Sequence, residues 1–259
     1  MRRVTRWLLL AIVVWGAVAY LVLPTFWRHY EHLPAMATLP TITHTPSGLP
    51  GDPLNVALIG SEEEIIRAMA AARWWPADPI TLESSLRIAE SVLLHRPDPD
   101  APVSSLVLFG RRQDLAFEQD VGGSAKQRHH VRFWRTEVRA DGGAPVWVGS
   151  AAFDRGAGLS HTTGQITHHI APDIDAERDT LMRDLEQGDW ITTTYFVTGI
   201  GPTLNGHNGG GDRYYTDGEM AVGVLAPPVP GRAVAVLAEP TPIVVKQQFW
   251  SWIRPALGN

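Results

Sequence analysis

Two histidine pairs carry the residue types best suited to chemistry in this chain: His129-His130 and His168-His169, each on a run that reads as a β-strand. The second pair leads through Pro172 into a helix start crowded with Asp173, Asp175 and Glu177. Imidazole titrates near neutrality and is the commonest ligand of divalent metals. A carboxylate beside it completes the kind of set that zinc sites use. The candidate catalytic groups are therefore His129, His130, Arg132, His168 and His169, and the candidate metal ligands are Asp173, Asp175 and Glu177 together with the histidines. The cofactor this pattern would take is a divalent metal such as zinc.

Strand alternation limits the set, because neighbouring side chains point to opposite faces and only one histidine of each pair can reach a common site. His129 shares a face with Val131 and Phe133, and His168 with Ile166 and Ile170, which sends both toward the core. His130 shares a face with Arg132 and Trp134, and His169 with Thr167, on the opposite and more polar side. Which histidines converge is left open by alternation alone. Arg132 could hold a phosphate or carboxylate. A plainer reading competes: acidic residues favour the positive end of a helix, Asp175 is a good helix cap, and no H-E-x-x-H spacing occurs. Two further stretches stand out. The glycine-rich run Leu204–Arg213 could cradle an anion with its backbone N–H groups, although a turn is the favoured reading. Ser160-His161 has a nucleophile and a base side by side but lacks the G-x-S-x-G context.

The elements that must position these groups follow from periodicity. Asn55–Gly60 reads as a buried strand, and Ser61 with Glu64 forms a capping box for the helix that follows. A second helix is expected from Thr81 along Leu82, Leu86, Ala89 and Leu93, stopped by the prolines at 97 and 99. The period then changes to two. Strands are expected at Ser105–Gly110, Leu115–Glu118, Val131–Val138, Val146–Phe153 and Gln165–Ile170, with Asp141-Gly142-Gly143 as a hairpin turn. A helix over Asp175–Gln187, capped by Asp175 and ended by Gly188, precedes strands at Ile191–Val197, Met220–Leu225 and Ala233–Leu237. The fold class expected is α+β: a single domain with a largely antiparallel or mixed sheet and about three helices, preceded by one N-terminal transmembrane helix. The divisions are 1–27 membrane anchor, 28–53 proline-rich stalk partly packed on the domain, 54–240 α+β domain and 241–259 aromatic tail.

Composition sets the outer bounds. The chain has 259 residues, 44% hydrophobic and 19% charged, an ordinary globular mix. Net charge is -5, so nucleic acid is not an expected partner. The absence of cysteine excludes disulfides, thiolate metal sites and cysteine nucleophiles. Trp7–Trp27 is almost wholly apolar and uncharged, long enough for a helix to span a bilayer. Arg2, Arg3 and Arg6 precede it, so the expected arrangement is a single pass in the cytoplasmic membrane, amino terminus inside and body in the periplasm. Cleavage after Ala19, at Ala17-Val18-Ala19, is the competing reading.

Several motifs taken together resemble the LssY C-terminal domain family. They are Gly110–Phe117, Arg128–Trp134, Thr167–Ile170 with Asp173–Asp179, and Gly209–Asp212 with Tyr215–Gly218. The resemblance spans roughly residues 50 to 225. It implies an envelope setting near lipid metabolism or secretion. Relatives fused to polytopic phosphatase-type membrane domains do not lend their activity here, since this chain carries one short apolar run. Two functions fit. One is a non-catalytic, membrane-anchored module binding a lipid or an envelope protein. The other is a metal-assisted hydrolase acting on an anionic, phosphate-containing envelope substrate.

Overall fold

The computed structural model describes residues 2–22, 32–77, 105–122, 124–162, 164, 166–197 and 205–257. The helix expected from Thr81, the proline-rich loop after it and the end of the apolar run beyond Val22 lie outside the described residues. Helix α1 (Arg2–Ala17) runs on into a π-helical turn at Val18–Val22. Together Arg3–Val22 form an apolar, exposed rod of 20 residues, the length a bilayer crossing requires.

The proline-rich segment does more than space the anchor from the body. It folds back as strands β1 (Ile42–His44) and β2 (Pro50–Pro53), with Leu33 and Met36 buried ahead of them. Proline is tolerated here because β2 is an edge strand with one side outside the ladder. Next come β3 (Val56–Ile59), helix α2 (Glu62–Ala71), β4 (Trp75–Pro76), β5 (Val107–Leu108), β6 (Arg111–Arg112) and β7 (Leu115–Val121). A long hairpin follows, β8 (Ser124–Arg139) and β9 (Pro145–Leu159), and then β10 (Ile166–Ile170) and helix α3 (Ile174–Gln187). The remaining elements are β11 (Ile191–Val197), β12 (Asn205–His207), β13 (Arg213–Tyr215), β14 (Met220–Leu225), β15 (Ala235–Val236) and helix α4 (Thr241–Leu257).

The fold is α+β. A nine-stranded mixed sheet runs β15-β11-β14-β3-β9-β8-β7-β4, with β10 also on β9. The capping box of α2 forms as the sequence dictates: Glu64 N–H donates to Ser61 Oγ, and Ser61 N–H donates to Glu64 Oε2. Helices α2 and α3 cover one face over Val56, Leu58, Phe117, Val131, Phe133 and Trp147. The other face buries Ala57, Trp134, Val146, Val148 and Val222 under Leu33, Met36, Leu106 and Leu108, which belong to or flank a second sheet, β2-β1-β5-β6. Helix α3 begins one residue earlier than expected. Asp173 is its cap, accepting from Ala176 N–H, and Asp175 is drawn inward to full burial because Thr216, Asp217 N–H, Arg178 and Trp250 all donate to it.

One edge of β9 is shared by two strands. β3 pairs with Val146–Gly149, and β10 pairs with Asp154–Leu159. The gap between them is filled by Asn55. Its backbone N–H donates to Gly149 O, its Nδ2 donates to Ala151 O and Ile174 O, and its Oδ1 accepts from Ala151 N–H. A side-chain amide thus continues a ladder that no strand occupies there. Replacing Asn55 by Ala leaves these buried groups without partners, so we expect a loss of about 3 kcal/mol in unfolding free energy. Urea denaturation of the full chain in micelles measures it.

Candidate functional site

From Arg128 on, the even-numbered residues of β8 face the second sheet. Alternation puts Arg128, His130 and Arg132 in a row on that face, and the register sets them against Asp154, Ala152 and Ser150 of β9. Ala152 is small and leaves the space beneath the His130 ring. Asp52 of β2 comes down from the opposite sheet, and His168 of β10 enters from the side. Thr45, Gly51, Leu106, Ile170, Asn208, Gly209 and Gly210 close a cavity of about 70 Å³ around them.

Charge in this cavity is paired. Arg128 reaches Glu118 Oε2 at 2.8 Å and Asp154 Oδ2 at 3.1 Å. Arg132 lies 3.3 Å from Asp52 Oδ2, while Asp52 Oδ1 accepts from Asn208 Nδ2. The Asp154 carboxylate also stands between two imidazoles: His130 Nδ1 is 3.2 Å from Oδ1, and His168 Nδ1 is 3.7 Å from Oδ2. His130 is only 2% exposed, yet neither of its nitrogens makes an aligned hydrogen bond, and Asp154 Oδ1 makes none either. The 3.2 Å approach is close enough for attraction but poorly oriented for a shared proton. Burial pushes the Asp154 carboxyl upward. The charge and closeness of His130, with those of Arg128, outweigh burial and hold it well below the usual carboxylate range. For His168, burial lowers the pKa. Asp154 opposes this, while Arg128, His130 and Arg132 reinforce it.

Of the candidate histidines, the structure brings together His130 and His168, with Arg132. His168 shares its face with Ile170, as alternation requires, but that face is the cavity wall: Ile170 lines the same space. His129 is on the helix side, where its Nδ1 meets Glu177 Oε2 at 2.7 Å beside Trp74 and Phe153. His169 pairs with Asp212 at 2.7 Å. The carboxylates at the start of α3 disperse. Asp173 takes a two-pronged contact from Arg254 of α4. Asp175 lies in the Arg178–Asp217 network, where burial pushes its carboxyl up toward about 6 against the pull of Arg178. Only Glu177 meets one of the paired histidines. Asp173 and Asp175 instead neutralise arginines, which they do because both residues sit at the junction of α3 and α4.

Sequence reasoning missed Asp52, Arg128 and Asp154, whereas Asn208 lies in the glycine-rich run singled out as a possible anion cradle. Arg128 was visible by alternation, two residues before His130. Asp154 was hidden by an irregularity in the hairpin. The pairing Arg139↔Pro145, continued inward, sets Arg128 against Gly156, whereas the register shift between Arg135 and Arg139 sets it against Asp154. The glycine-rich run begins outside the described residues at Leu204; its remainder forms a turn whose Asn208–Gly210 portion floors the cavity.

Comparison with known proteins bears on the whole domain. No curated protein and no solved structure matches the chain. A family model described as LssY C-terminus matches residues 36–220, which takes in β1, β2, the cavity and the glycine-rich turn. The chain belongs to the LssY C-terminus family.

Proposed function

We propose that this domain is a membrane-tethered binding module for a phosphate-type oxyanion carried by an envelope molecule, such as a lipid headgroup. The observation that carries this reading is the His130 ring, buried with two unaligned nitrogens beside Arg132, His168 and the Asn208–Gly210 backbone. Buried polar atoms without partners are rare, and a ligand that accepts from them removes their cost. Arg128 and Arg132 face three carboxylates, Glu118, Asp154 and Asp52, so protonation of His168 offsets the surplus negative charge and couples anion uptake to proton uptake. The apolar Arg3–Val22 helix supports a membrane tether, and the arginines before it support a body outside the cytoplasm.

A second reading is favoured by the position of Asp154. A carboxylate 3.2 Å from an imidazole nitrogen is placed to orient a general base once a ligand realigns the ring, so hydrolysis of a bound phosphate ester is the alternative. Turnover of phenyl phosphate by the purified full chain, lost in His130→Ala, would select it over simple binding.

Calorimetric titration of the full chain in zwitterionic micelles with sulfate and inorganic phosphate tests the binding reading. We expect one site per chain, weakened at least tenfold in Arg132→Gln and partly restored in Arg132→Lys. Equal affinity in the wild type and Arg132→Gln, with both folded by circular dichroism, would refute it.

The pH dependence has a fixed sign. His168 is held below its ordinary value of 6.5 in the free cavity, by burial and by the nearby cations. A bound anion favours its charged form. Sulfate, which keeps its charge across this range, should therefore bind more tightly as pH falls through the imidazole range, by up to about tenfold per pH unit. His168→Gln should flatten that slope.

A further inference from the structure

A different cluster lies on the far side of the glycine-rich turn from the cavity. From its geometry we infer that His161, His169 and Asp212 form a binding site for a zinc-class transition metal. His169 Nδ1 is 2.7 Å from Asp212 Oδ1, and His161 Nε2 is 3.9 Å from the same oxygen. All three potential ligand atoms fall within 4.8 Å of one another. Tetrahedral zinc with bonds of about 2.0–2.1 Å sets its ligands about 3.3 Å apart. The two separations lie about 0.6 Å on either side of that value, so ligation requires the exposed His161 ring to move in and His169 and Asp212 to part slightly.

The surroundings orient the ligands as a metal requires. A Cβ on Gly158 would stand 2.6 Å from His169 Nε2, so that edge of the ring is closed against the backbone of β9 and Nδ1 is the nitrogen turned to Asp212. Gly211, at φ +86°, lets the turn pass close under His161, where a Cβ would lie 2.7 Å from the His161 Cβ. Asp212 keeps Oδ1 for the cluster because Ile170 N–H donates to Oδ2. Its backbone is fixed by Asn208, which accepts from Asp212 N–H through Oδ1 and donates its own N–H to Asp212 O. Hydrogen bonding to the outer oxygen of a ligating carboxylate is the support such sites use. The His161 side chain is 67% exposed, so the fourth position opens to water. Two imidazoles and one carboxylate select zinc, nickel or copper over magnesium or calcium, whose preferred ligands are all oxygens.

The site is separate from the oxyanion cavity and stands or falls without it. The test is titration of the full chain in micelles with zinc by calorimetry, and with cobalt(II), whose visible bands report tetrahedral ligation. We expect one micromolar or tighter site, weakened at least tenfold in His161→Ala and in Asp212→Asn and unchanged in His44→Ala. His161 is exposed, so His161→Ala keeps the fold and isolates the loss of a ligand. Arg132→Gln should bind zinc like the wild type, and His161→Ala should bind sulfate like the wild type, which separates this site from the cavity. Zinc affinity equal in the wild type, His161→Ala and Asp212→Asn would overturn the inference, as would the absence of micromolar binding.

Discussion

Ionised side chains inside this domain are held in place by opposite charge, and the layers are stacked around those pairings. Removing a carboxylate or guanidinium from water costs several kcal/mol, offset only when partners sit close and aligned. Arg128 meets Glu118 and Asp154, Arg132 meets Asp52, and Arg178 meets Asp217 and Asp175. The first pairing ties three consecutive strands, β7, β8 and β9; the other two join segments far apart in sequence, β2 with β8 and α3 with the turn before β14. A slip of any layer would strand a charge without water or partner. The nonpolar contacts tolerate small displacements; the ion pairs do not. His130 is the exception within this frame, buried beside charge but poorly aligned to any of it.

Much of this frame is local enough to be read along the chain. The capping box at Ser61, the alternation of β8 and the helix ended by Gly188 depend on neighbours within a few residues, and they form where the sequence places them. Alternation also put His130 and Arg132 on one face. What it could not supply was the nature of that face. In β10 the apolar Ile170 suggested core for His168, but β10 lies at an edge where the sheet borders a polar cavity, so an isoleucine there is cavity wall. Asp52 was illegible for a related reason: it is a single polar residue in a loop-like stretch, and its meaning arises only when two sheets and a turn meet. Asp154 depended on an irregular hairpin register, which no pattern in the strands announces. The carboxylates of 173–179 look like a cluster in sequence and are not one in space, since helical geometry and α4 give Asp173 to Arg254, Asp175 to Arg178 and Glu177 to His129.

Two modes of support meet at the glycine-rich turn. Its first residues floor the cavity, and Asp212 at its end fastens β10 through Ile170 N–H and His169. The turn is thus a bracket between β10 and the second sheet, with Asn208 tied to Asp52 on one side and to Asp212 on the other. The cavity floor and the His169 contact therefore share a backbone.

Helix α4 carries a consequence for how the molecule comes into being. Its Trp250 donates to Asp175, its Arg254 grips Asp173, and its Lys246 and Gln247 reach Glu219. All of these acids belong to segments synthesised earlier. Until α4 emerges, Asp173 lacks Arg254, and Glu219 lacks Lys246 and Gln247. This corner can therefore close only after every other element that lines it has been made.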